Sequence, residues 1–118
     1  MATFTLADTE KNAMLDTLDS KFVSLHTGDP STTGANECTG GSYVRQAENL
    51  GPAANGSKTN TASLEFAGMP AANVSHVGFW TANASGTFLG GGALANTVTV
   101  PVGATFRFQA SNLTCLIS

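Results

Sequence analysis

From residue 22 onward the chain sets apolar against polar positions in short runs broken by Gly, Asn and Pro, as strands that bury one face do. Val23 and Leu25 alternate with Ser24 and His26, Leu64 and Phe66 with Ser63 and Glu65, and Phe106 and Phe108 with Thr105, Arg107 and Gln109. The runs predict strands over residues 22–27, 43–47, 59–66, 74–81, 87–94, 97–100, 105–110 and 113–117. Eight short strands is the count of an antiparallel β-sandwich of the jelly-roll kind. Ala82-Asn83-Ala84-Ser85-Gly86 supplies a hairpin loop and would set Trp80 against Phe88 across the pair.

Before residue 22 the period changes. Ala7, Met14, Leu15 and Leu18 share one helical face, Lys11 and Asp16 lie on the other, and Thr5 and Asp8 form a Thr-x-x-acid start. One helix is expected over residues 6–19. The chain, residues 1–118, reads as a single domain, mainly β with a short N-terminal α-helix and a sandwich over residues 21–118.

Three local features qualify the pattern. Gly90-Gly91-Gly92 interrupts a strand, and either a bulge or a close-passing chain explains it; the bulge is expected, with Trp80 covering the bare surface. Residues 51–57, rich in Gly, Ala and Asn, read as a flexible exposed excursion. Asp29 precedes Pro30 and is expected to cap a turn with its own carboxylate.

Composition changes the picture in one respect. Charged residues make up 11% of the chain, against about 25% in an ordinary soluble domain. The surface is therefore largely Thr, Ser, Asn, Gly and Ala, which suits a subunit packed among neighbours and also occurs in small β domains generally. A net charge of -3 with five scattered basic residues leaves no patch for a phosphate backbone, so nucleic acid is not an expected partner. No apolar run approaches the roughly 20 residues of a membrane span, and Met1 to Thr5 shows no signal-peptide pattern. Cys38 and Cys115 are expected to be unpaired thiols, Cys115 as a small core residue.

Candidate chemistry is sparse. His26 and His76 are the neutral-pH bases, but with Cys38 and Cys115 they stand singly, without the close ligand pairs of a zinc site. His26 beside Thr27 and Asp29 suggests a relay, yet hydroxyl residues are abundant throughout, so the expected role is a strand position bonded to a loop carbonyl or to Asp29. Asp29, Asn36 and Glu37 offer hard oxygens without the dense spacing of a calcium loop. Gly90-Gly91-Gly92 does not open a helix, as a phosphate loop must. No catalytic residue, metal or cofactor is expected, and the protein is expected not to be an enzyme.

Three segments, read together, carry a resemblance. They are Leu25-His26-Thr27-Gly28-Asp29-Pro30, then Thr33-Gly34-Ala35-Asn36-Glu37, then Gly40-Gly41-Ser42-Tyr43-Val44-Arg45. A downstream block follows: His76-Val77-Gly78-Phe79-Trp80, Gly86-Thr87-Phe88-Leu89-Gly90 and Gly92-Ala93-Leu94. In this order the motifs resemble a family of small tailed-bacteriophage virion proteins, known as capsid cement or decoration proteins and as tail-fibre-like proteins. The resemblance implies first a cement protein on the outer surface of the capsid. It would be assembled in the host cytoplasm, would bridge neighbouring copies of the major capsid protein and would form a homotrimer. The alternative within the family is a tail fibre or tail adaptor subunit. A reading from another class is a carbohydrate-binding sandwich using Trp80, Tyr43 and exposed Asn side chains. The expected assembly contacts are Gly28, Asp29, Pro30, Asn36, Glu37, Tyr43 and Arg45, on the polar loop of residues 28–42 and just beyond it, together with the excursion at residues 51–57.

Overall fold

A computed structural model of the chain describes residues 7–116. Its elements are α1 (Asp8–Asp16), β1 (Phe22–His26), β2 (Gln46–Ala47), β3 (Ser57–Thr59), β4 (Leu64–Phe66), β5 (Ala72–Trp80), β6 (Phe88–Val100), β7 (Phe106–Phe108) and β8 (Thr114–Leu116). The fold is mainly β and sandwich-like. A four-stranded sheet in the order β2-β1-β5-β6 packs with two two-stranded ribbons, β3–β8 and β4–β7, and every pairing is antiparallel.

The alternation seen in the sequence sets the core. Val23, Leu25, Val74, Val77, Phe79 and Val100 from the sheet meet Leu64, Phe66, Phe106 and Phe108 from the β4–β7 ribbon. Phe66, almost fully buried, meets Phe106 and Phe108 edge to face at 6.3 and 6.4 Å between ring centres. Burial of such a ring contributes about 2–3 kcal/mol.

Helix α1 is shorter than residues 6–19. It begins at Asp8 behind an extended Ala7 that makes no side-chain cap; Thr5 lies outside the described residues. Ser20, at φ 62°, turns the chain out of the helical region. The helix docks through Leu15 and Leu18, while Met14 is half exposed. Lys58 of β3, almost fully buried, fixes its end with Nζ 2.7 Å from Asp19 and 3.3 Å from Asp16. Burial opposes the lysine's charge, but the two carboxylates outweigh it and hold the ammonium above its ordinary value.

Several strand boundaries move. The expected strand at residues 59–66 divides into β3 and β4 at Asn60, buried at the junction, whose side chain bonds the chain on both sides in addition to its backbone bonds with Leu113 and Ser111. Its Nδ2 donates to the Ala62 and Gln109 carbonyls, and its Oδ1 accepts from Leu113 N–H. The expected strands at residues 87–94 and 97–100 join into β6, which is thirteen residues long. Strand β8 lies within the run expected at residues 113–117, of which Ile117 is outside the described residues.

The triglycine also differs from expectation. Gly90, Gly91 and Gly92 pair in register with Phe79, Gly78 and Val77, and the register shifts flank them, one at Phe79/Trp80 and one at Val74/His76. Close approach explains Gly91: a Cβ there would lie 2.4 Å from the Val77 carbonyl oxygen and 3.1 Å from Pro30 Cγ. At Gly90 and Gly92 a Cβ would meet nothing within 4 Å. Trp80 lies against Gly34 instead, whose Cβ position is 2.3 Å from the indole Cζ2.

Candidate functional site

The outer edge of β1 is closed in three ways. At its start Phe22 and Val23 pair with Ala47 and Gln46 of β2. At its end His26 bridges to Glu37, with Thr27 N–H donating to the Asn36 carbonyl and Cys38 N–H to the Leu25 carbonyl. Between these, Leu25 N–H donates to the Tyr43 hydroxyl at 2.9 Å. Tyr43 thus replaces a backbone partner with its side chain, which explains why the strand expected at residues 43–47 shrinks to Gln46–Ala47.

From this edge a charged brace extends to the β5–β6 hairpin. The Tyr43 hydroxyl donates to Glu37 Oε2 at 2.8 Å. Arg45 grips the same carboxylate with two bonds, Nε to Oε2 and NH2 to Oε1, each 2.9 Å. Its NH1 donates to the carbonyls of Ala82 (3.0 Å) and Ser85 (2.7 Å) in the hairpin loop. The guanidinium also lies 3.7 Å over the Trp80 ring centre. Five contacts from one side chain fix the loop of residues 82–86 to the loop of residues 28–42. Partial burial works against the Glu37 charge, but the bonds from Arg45 and Tyr43 overcome it and hold the carboxyl below its usual range. Burial, with Glu37 as acceptor, pushes the Tyr43 phenol far up.

Behind the brace runs a buried polar chain. Trp80 Nε1–H donates to Ser24 Oγ at 2.9 Å. Ser24 Oγ lies 2.7 Å from His26 Nε2, and His26 Nδ1 lies 2.8 Å from the Ala35 carbonyl. The carbonyl can only accept, so the neutral imidazole carries its proton on Nδ1 and Ser24 donates to Nε2. Burial pushes the imidazole's pKa down. The Ser24–His26 contact has nucleophile–base distance, but both residues are fully buried and a carbonyl stands where a triad has a carboxylate. The arrangement holds the loop to the strand, as the sequence reading of His26 expects.

The seven residues expected as assembly contacts separate into two groups. Glu37, Tyr43 and Arg45 converge in the brace and are spent on internal bonds. Gly28, Asp29, Pro30 and Asn36 lie on the loop above β1, where Asp29 and Asn36 are exposed and Pro30 is buried against Gly91. Asp29 caps its own turn, Ser31 N–H donating to Oδ1 at 2.8 Å, and Asn36 Nδ2 donates to the Asp29 carbonyl at 3.0 Å. The excursion at residues 51–57 is more ordered than expected. Ala54 and Ser57 exchange two backbone bonds, and buried Gly56 donates to Asn12 Oδ1 on α1. Sequence reasoning missed Ser24, Ala82 and Ser85 as partners of the cluster. Only the Trp80–Phe88 pair, 5.2 Å apart and edge to face, was accessible from the hairpin pattern.

Cys38 and Cys115 are free thiols. Burial raises both, Cys115 to about 11. Among the described residues no three His, Cys, Asp or Glu side chains stand together as metal ligands, and no helix is long and apolar enough to cross a membrane.

A family model described as podophage GP4 fiber I protein gp80 matches residues 6–115. No curated protein matches the chain. The match spans both the braced loop and the β5–β6 hairpin, so the chain belongs to the podophage GP4 fiber I protein gp80 family and is a bacteriophage virion structural protein.

Proposed function

We propose that the chain is a non-enzymatic subunit of the podophage fibre, acting by contact with its neighbours rather than by turnover. The family match over residues 6–115 carries this reading, because its description is that of a fibre protein. The geometry agrees: the side chains with chemical potential, His26, Ser24, Glu37, Tyr43 and Arg45, are consumed in bracing loops to the sheet. A low-charge surface on a rigid sandwich suits lateral packing.

A second reading, a head decoration protein binding the major capsid protein, is favoured by the exposed Asp29 and Asn36 on a loop held rigidly above β1. Contacts to several shell subunits at once would then give avidity from weak individual sites. The carbohydrate reading draws no support from Trp80, whose indole already carries Arg45, Phe88, Gly34 and Ser24. Co-sedimentation of the purified protein with separated phage heads and tails decides between the first two. Retention on tails is expected; retention on expanded heads alone would replace the fibre reading with the decoration one.

A further inference from the structure

Residues 51–57 contain the one asparagine of the chain that is followed by glycine, Asn55-Gly56. The pair forms a two-residue turn. Ala54 N–H donates to the Ser57 carbonyl at 2.8 Å and Ser57 N–H to the Ala54 carbonyl at 2.9 Å, and both central residues are left-handed, at φ 53° and 74°. Those signs are the signature of the type I′ hairpin turn, for which Asn-Gly is a preferred pair.

Asn-Gly is also the dipeptide in which the backbone can most readily attack an asparagine side chain, because the second residue has no Cβ to shield its amide nitrogen. The Gly56 amide gives up its proton to solvent and its nitrogen attacks Asn55 Cγ. The new Cγ–N bond closes a five-membered succinimide as the Cγ–Nδ2 bond breaks and ammonia leaves. Water then opens either carbonyl of the ring, leaving aspartate or, with the backbone rerouted through the side chain, isoaspartate. Water is the only co-reactant, and nothing is oxidised or reduced.

Asn55 is exposed, but the nitrogen that must attack it is not. Gly56 is buried, and its N–H donates to Oδ1 of Asn12, on α1, at 3.0 Å. The bond holds the proton that solvent must remove and withholds the amide from solvent. The helix end is held separately, by Lys58 on Asp16 and Asp19. A nine-residue helix with Leu15 as its one buried side chain belongs to the parts of a fold that open before the core does.

We propose that Asn55 is a modification site of this chain, a deamidation site gated by α1. It stays intact while Asn12 holds the Gly56 amide, and it converts to aspartate or isoaspartate when the helix lifts. The conversion is one-way. Isoaspartate adds a methylene to the backbone of a two-residue turn, so the Ala54–Ser57 bonds and the Gly56–Asn12 bond no longer all re-form, and a transient opening becomes permanent. The chemistry belongs to the chain alone and holds whichever part of the virion the protein occupies.

The test incubates the purified full chain in mildly alkaline buffer and follows the peptide spanning Asn55 by mass spectrometry, with chromatography separating isoaspartate from aspartate. Conversion is expected at Asn55 ahead of every other asparagine, and at least about tenfold faster in the chain unfolded in guanidinium chloride than in the folded chain. Asn12→Ala should speed it about fivefold in the folded protein, the weight of one ordinary hydrogen bond. Asn12→Asp keeps an acceptor oxygen and should convert no faster than the unmodified chain. Lys58→Ala, which frees the helix through a different contact, should speed conversion as well, with circular dichroism verifying that the sheet is kept. Equal rates in the folded and unfolded chain, equal rates in Asn12→Ala and the unmodified chain, or conversion of another asparagine ahead of Asn55 would each overturn the proposal. None of these outcomes bears on the fibre reading, which is decided by heads and tails.

Discussion

Replacing Arg45 by Ala removes the bidentate grip on Glu37, the two bonds to the 82–86 loop and the stacking over Trp80 in one step. Its side chain is 9% exposed and that of Glu37 is 20% exposed, so both charges are largely withdrawn from water. Breaking such a pair costs about 3–5 kcal/mol when fully buried. Tyr43 still donates to Glu37 in the variant and water can reach the carboxylate, which lowers the figure. The lost cation–π contact adds roughly 1 kcal/mol. A net destabilisation of about 3 kcal/mol follows, or roughly 9–15 °C in Tm for a domain of this size. The assay is urea unfolding followed by circular dichroism and by the fluorescence of Trp80, the single tryptophan. Arg107, paired with Glu65 through one 3.1 Å bond with both side chains about half exposed, is the internal control: its Ala variant should lose no more than about 0.5 kcal/mol. Arg45→Lys should recover only part of the loss, because an ammonium cannot reproduce the planar fork. Equal effects of the Arg45 and Arg107 variants would refute the brace.

Stability should fall in acid in two steps. The folded-state pKa of His26 is depressed below its ordinary 6.5, so its contribution is complete above 6.5 and is lost as pH falls below that value toward the folded pKa. Glu37, depressed below 4.5, loses its contribution as pH falls below 4.5. Urea midpoints measured against pH should show both steps, and His26→Asn should remove the upper one. Gly91→Ala should cost about 1–3 kcal/mol through overpacking against Val77 and Pro30. Gly90→Ala and Gly92→Ala, facing open space, should be neutral or stabilising by up to about 0.5 kcal/mol; equal losses at all three, by thermal melting, would reject the close-approach account. Lys58→Ala should speed hydrogen exchange in Asp8–Asp16 while β1 and β5 stay protected, since Lys58 ties the helix end to β3.

The parts of the fold readable in the sequence are those governed by period. Phe106 and Phe108, Leu64 and Phe66, and Val23 and Leu25 alternate, and all six are in the core. The Trp80–Phe88 pair follows from its five-residue loop, and the cap of Asp29 from the proline after it. What escapes is wherever a side chain replaces backbone bonding or adds to it. Tyr43 looks like the start of a strand but closes the edge of β1 with its hydroxyl, and Asn60 looks like mid-strand but divides two ribbons. Nothing in residue spacing marks either role. Glu37 and Arg45 read in sequence as loop charges, and the bonds of Arg45 to the carbonyls of Ala82 and Ser85, some forty residues away, are not visible in residue spacing. Gly91 was recognisable as constrained, but the choice between bulge and close approach depends on Pro30, a residue far away in sequence that is brought near only by folding.

Where the protein sits on the virion tests the central claim most directly. Gold labelling of intact phage with antibody to the purified chain, viewed by electron microscopy, should decorate fibres at the tail end and leave the head faces bare. Label distributed over the head, with unlabelled tails, would contradict the fibre account.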